Sequence, residues 1–200
     1  MIFDPKTLQK YRFAFLKLRA ISGSSRYFIL NIVRTNEPIN VTGIVSISKM
    51  EQPIVSQLLS VLKKSEFVVS TSQKKEKIYS INHKEIKKII AFCAEFSNQK
   101  TKSNAELSDS YTQIFQTYNA LKYLLNPGRM ILLEFLNKKG EMTVGQLTEE
   151  TKLSQSIVSQ NLSVLKNLNV VSNKIEGRKS IFFLNQDVLN RYKVLIEQTF

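Results

Sequence analysis

The chain has 200 residues, enough for one large domain or two small ones. Hydrophobic residues make up 42%, which argues against disorder, and the formal net charge of +13 suits a polyanionic partner, either nucleic acid or an acidic membrane surface. A single cysteine, Cys93, excludes an internal disulfide and fits a reducing compartment.

The first twenty residues carry Asp4, Lys6, Lys10 and Lys17 among their apolar positions, so no secretory leader is expected. No run approaches the roughly 18 apolar residues that span a bilayer. A cytoplasmic location follows as the expectation. Apolar periodicity predicts helices over roughly 5–21, 25–35, 42–49 and 52–65. Two short strands, near 67–72 and 77–81, join across Gln73 to Glu76, and a helix over 83–97 closes the set. The same order then returns. Helices are predicted over 108–125, 128–138 (opened by Pro127), 144–152 and 155–168, the last with Ser154 as a good N-cap. Strands near 170–175 and 180–184 join across Glu176-Gly177-Arg178-Lys179, and a helix over 186–199 ends the chain.

The return is visible in the letters. At a shift of 103 residues, IVSQLLSVLK at 54–63 faces IVSQNLSVLK at 157–166, identical at nine of ten positions. The register extends ungapped from Leu18/Leu121 to Asn82/Asn185, with 18 identities in 65 positions. Such a period is too long for a solenoid and indicates two copies of one domain. The expected organisation is copy one at 1–97, a polar linker at 98–106 and copy two at 107–200. The expected fold class is mainly α with small β-hairpins.

On a helical wheel, Val158, Leu162 and Leu165 share one face of the 155–168 helix, with Ile157, Val164 and Leu168 widening that stripe. The opposite face carries Ser156, Ser159, Gln160, Ser163 and Asn167, with Lys166 at its edge, and Gln155 at the helix start joins them as a candidate DNA contact. In the 52–65 helix, Val55, Leu59 and Leu62 form the inner face. Gln52, Ser56, Gln57, Ser60, Lys63 and Lys64 lie outside it. Neither outer face contains an acid. Hydroxyls permit close approach to a groove floor, and amides can bond base edges or phosphates. The plain alternative is ordinary soluble surface. Packing would keep Val and Leu alike in two diverging copies, but gives no reason to keep Ser56/Ser159, Gln57/Gln160, Ser60/Ser163 and Lys63/Lys166 alike. The hairpins add Lys74, Lys75 and Lys77 in the first copy, and Lys174, Arg178 and Lys179 in the second. Basic hairpins can neutralise phosphates, although alone they serve equally as solvated edges blocked against aggregation.

The run KLSQSIVSQNLSVLKNLNVVSNKIEGRKSIFFL, 152–184, resembles the recognition helix and wing of ArsR/SmtB-type winged-helix repressors. Leu153, Ser154, Gln155, Ser156, Val158, Ser159, Leu162, Leu165, Gly177 and Arg178 carry the resemblance. The first copy departs from it, with Met50, Glu51 and Pro53 at its helix start and Lys74-Lys75 in place of Gly-Arg. The resemblance implies a homodimer closed by first and last helices. Two copies in one chain imply a pair formed internally, with a homodimer as the alternative.

Family members that sense metals do so with clustered Cys, His or carboxylate ligands. Here the third helices, Val41 to Ser48 and Val144 to Thr151, hold no Cys or His. Cys93 falls on an apolar helix face and reads as a buried thiol, and His83 as an exposed helix-start residue. No catalytic, metal or cofactor site is expected, and no enzyme signature appears. The expected function is a sequence-specific double-stranded DNA-binding transcriptional regulator, a repressor by resemblance. The rival is a winged-helix protein-docking scaffold that does not bind DNA. Residues 1–100 carry 17 basic and 7 acidic side chains, net +10; residues 101–200 carry 12 and 9, net +3. Either one half grips DNA harder or one docks protein. A membrane-surface role ranks third, since no basic amphipathic segment stands free of the folded parts.

Overall fold

The computed structural model describes residues 4–73, 76–97 and 107–200. The linker expected at 98–106 and the wing residues Lys74 and Lys75 lie outside them. Element order is α1 (Pro5–Ser22), α2 (Ser24–Asn36), β1 (Ile39–Asn40), α3 (Val41–Ser48), α4 (Gln52–Lys64), β2 (Val68–Gln73), β3 (Glu76–Ile81) and α5 (His83–Phe96). It continues with α6 (Leu107–Leu124), α7 (Pro127–Lys139), β4 (Met142–Thr143), α8 (Val144–Thr151), α9 (Gln155–Asn167), β5 (Val171–Glu176), β6 (Lys179–Leu184) and α10 (Gln186–Thr199).

The chain divides into two compact units, one of Ala14–Tyr118 and one of Met1–Phe13 with Asn119–Phe200. In the unit Ala14–Tyr118, the core gathers Leu18, Ile29, Leu30, Val33, Ile44, Val55, Leu59, Leu62, Phe67 and Ile89, all fully buried. The Tyr111 ring of α6 meets that of Tyr27 at 4.2 Å, tilted by 42°, and the Tyr111 hydroxyl donates to the Ser22 carbonyl at 2.9 Å. Cys93 is buried here, and desolvation pushes its thiol up to about 12. The core also takes in a charge pair. Lys17, 4% exposed, reaches Glu85 at 2.5 Å and Glu66 at 2.6 Å.

In the other unit, Leu121, Leu132, Leu133, Leu147, Val158, Leu162, Leu165 and Val170 fill the equivalent positions. Helix α10 packs Leu189, Tyr192, Leu195 and Ile196 inward, and Thr7 of α1 bonds Glu197 at 2.9 Å.

Each sheet has three strands, ordered β1-β3-β2 and β4-β6-β5, all antiparallel. The sequence reading expected two-stranded hairpins. The third strands are two residues long, too short for any alternation to mark them. Ile39 faces Tyr79, and Met142 faces Phe182, so each short strand ties the start of the third helix to the hairpin.

Candidate nucleic-acid interface

Helices α3 and α4 are joined by a three-residue turn, as are α8 and α9. Each turn opens on a lysine in the left-handed region, Lys49 and Lys152, both at φ 58°. Such a residue stops the helix and swings the chain into the next one, at a conformational cost that glycine would avoid. The third helices start from side-chain caps. Asn40 accepts from the Gly43 amide at 2.8 Å, and Thr143 forms a capping box with Gln146. Ser154 caps α9 by accepting from the Ile157 amide. Glu51 makes no such bond to α4, where Pro53 occupies the first turn.

These starts fix the direction of the second helix of each pair. In α9, Val158, Leu162 and Leu165 face the core, while Gln155, Ser156, Ser159, Gln160, Ser163 and Lys166 are all exposed. In α4, Val55, Leu59 and Leu62 are buried, and Gln52, Ser56, Gln57, Ser60, Lys63 and Lys64 are exposed. Thus the expected reading residues stand together on the open face of one helix in each unit.

Ile157 corrects the wheel. It was expected to widen the buried stripe, yet it is 45% exposed, and Ile54 is 46% exposed. Gly128, at the start of α7, approaches the Asn161 side chain so closely that a Cβ there would lie 3.2 Å from Nδ2. The available signal was the identity of Ile54 and Ile157 across the repeat.

The hairpins stand beside these helices. A shallow groove of about 280 Å³ runs between α9 and β6, lined by Val144, Ser159, Leu162, Ser163, Lys166, Asn167 and Phe182. In the other unit, Lys63 donates to the Ser70 hydroxyl at 2.7 Å, which links α4 to β2. The β5–β6 turn is Gly177-Arg178, with Gly177 at φ 60° as a two-residue hairpin requires. Arg178 and Lys179 are exposed at its tip. Lys174 is different, because its ammonium is held by Glu141 at 2.6 Å and Glu176 at 3.0 Å. Those two carboxylates raise its pKa. Lys77 is exposed on β3 opposite Ser72. Among the described residues no three His, Cys, Asp or Glu side chains cluster as metal ligands. No helix there is long and apolar enough to cross a membrane.

A helix, a three-residue turn, a second helix with its polar face outward and a basic hairpin beside it define a winged helix-turn-helix. A family model described as "Bacterial regulatory protein, arsR family" matches residues 126–173, from the cap of α7 into β5. The transcriptional repressor SdpR of Bacillus subtilis (strain 168) is 34% identical over 71 residues, covering 36% of this chain and 78% of SdpR. The nodulation protein NolR of Rhizobium meliloti is 36% identical over 69 residues, covering 34% of this chain and 56% of NolR. A solved structure described as a possible transcriptional regulator for arsenical resistance is 29% identical. That match covers 40% of this chain and 81% of that one, with a TM-score of 0.37. The chain belongs to the arsR family of bacterial regulatory proteins, DNA-binding transcriptional regulators without enzymatic activity.

Proposed function

We propose that this protein is a cytoplasmic transcriptional repressor that binds a specific duplex DNA site with two recognition helices, α4 and α9. In this reading the chain holds two copies of one winged helix, 1–97 and 107–200, joined by 98–106. The two copies pair within the chain, and Lys74, Lys75, Lys77, Arg178 and Lys179 of the wings neutralise phosphates. One observation carries the reading. Both helices expose the same acid-free set at matched positions: Gln52/Gln155, Ser56/Ser159, Gln57/Gln160, Ser60/Ser163 and Lys63/Lys166. Amides and hydroxyls serve base edges, and flanking cations serve the backbone.

The test is duplex binding by the full chain as salt is varied. Binding should weaken with a log–log slope of about −0.9 for each phosphate neutralised. Binding that ignores salt, or none at low salt, would favour the protein-docking scaffold instead.

A further inference from the structure

We propose that Ile54 and Ile157 each read a thymine, by packing against its C5-methyl group in the major groove. The inference rests on the DNA reading above and adds to it a base preference.

Within the matched segment, Val55/Val158, Leu59/Leu162 and Leu62/Leu165 are buried and Val61/Val164 half-buried. Core packing explains their identity. It does not explain Ile54 and Ile157, which are about as open to solvent as each other at 46% and 45%. Each is third in its helix, within the first turn, the part of a recognition helix that contacts base edges. On the open side each is followed one turn on by an exposed glutamine assigned to DNA, Gln57 in one helix and Gln160 in the other. An exposed, branched, apolar side chain in that setting needs an apolar partner on the surface it meets. The floor of the major groove offers one such group, the methyl of thymine. Isoleucine in a helix is held almost entirely in one χ1 rotamer, so it loses little freedom on contact. Gln57 and Gln160, one turn on, have the donor–acceptor pair that suits adenine N6 and N7. The two residue types together favour A·T pairs under each helix start.

The experiment uses the full chain and a duplex selected from a random pool. Each thymine is replaced in turn by deoxyuridine, which keeps base pairing and removes only the methyl. Wild type should lose about fourfold in affinity at one thymine in each half-site, the effect of withdrawing one methyl from an apolar contact. Ile157→Ala should bind the thymine duplex more weakly and become indifferent to uridine at one of those positions, and Ile54→Ala at the other. Equal melting temperatures keep the variants comparable. The proposal is overturned if no uridine replacement affects wild type, or if both alanine variants keep the full uridine loss. A chain that selects no duplex overturns the DNA reading itself, a separate and visible failure.

Discussion

Lys174 lies 2.6 Å from Glu141, so a wing residue that looks in the sequence like a phosphate contact is already neutralised within its own unit. Free positive charge on that hairpin therefore sits at its tip, on Arg178 and Lys179. Arg178→Ala and Lys179→Ala should each flatten the salt slope of duplex binding by about 0.9. Lys174→Ala should leave it nearly unchanged. Affinities of the three variants from 50 mM to 200 mM salt decide this. A larger change from Lys174→Ala than from the tip pair would refute the assignment.

The unit containing α9 keeps the Ser154 cap and the Gly177-Arg178 turn, whereas α4 begins uncapped behind Glu51. The better-formed helix start is expected to carry more of the base readout. Gln155→Ala and Gln160→Ala should narrow the gap between selected and scrambled duplex by roughly 1–3 kcal/mol for each lost bidentate contact. Lys74→Ala with Lys75→Ala should weaken both duplexes by similar factors, since phosphate contacts carry no sequence information. The reverse pattern would exchange the roles.

Lys17 and Glu85 form a buried ion pair. Lys17→Ala leaves the Glu85 carboxylate buried without its cation, and unfolding free energy should fall by about 3–5 kcal/mol. The double variant Lys17→Ala/Glu85→Val, which removes both charges and leaves apolar groups, should recover most of that loss. Denaturant titration of the three proteins tests both statements. A double variant as unstable as the single one would contradict them.

Glu66 is held below its ordinary pKa of 4.5 by hydrogen bonding and charge attraction from Lys17. A carboxylate depressed in the folded state contributes stability above its unfolded value, and that contribution is lost as pH falls through the lowered folded value. Glu66→Gln should therefore reduce the acid sensitivity of the melting temperature below about pH 4.5 and leave that sensitivity unchanged near neutrality. The effect is small, because Glu66 is largely exposed and screened.

Burial raises the Cys93 thiol to about 12, so almost no thiolate exists at neutral pH. A thiol reagent should modify the native chain slowly and the denatured chain rapidly, with one equivalent per chain. Rapid native labelling would show that the helix α5 core opens readily.

Helix order was legible because apolar repeats at helical spacing are long, and each predicted helix end falls close to the structural one. The buried faces of α4 and α9 were legible for the same reason. Strands β1 and β4 were not, since two residues carry no period and only pairing with Tyr79 and Phe182 creates them. The Lys17–Glu85 pair was hidden by the sequence separation of 68 between its partners. Ile157 was misjudged because a wheel places it beside the apolar stripe. Lys174 looked free because Glu141 lies on a different element.

One comparison decides whether the protein binds duplex DNA sequence-specifically. The full chain is titrated by fluorescence anisotropy against a duplex selected from a random pool and against its scrambled counterpart, at one physiological salt concentration. The selected duplex is expected to bind at least about 10³-fold more tightly. Equal affinity for the two duplexes would contradict it.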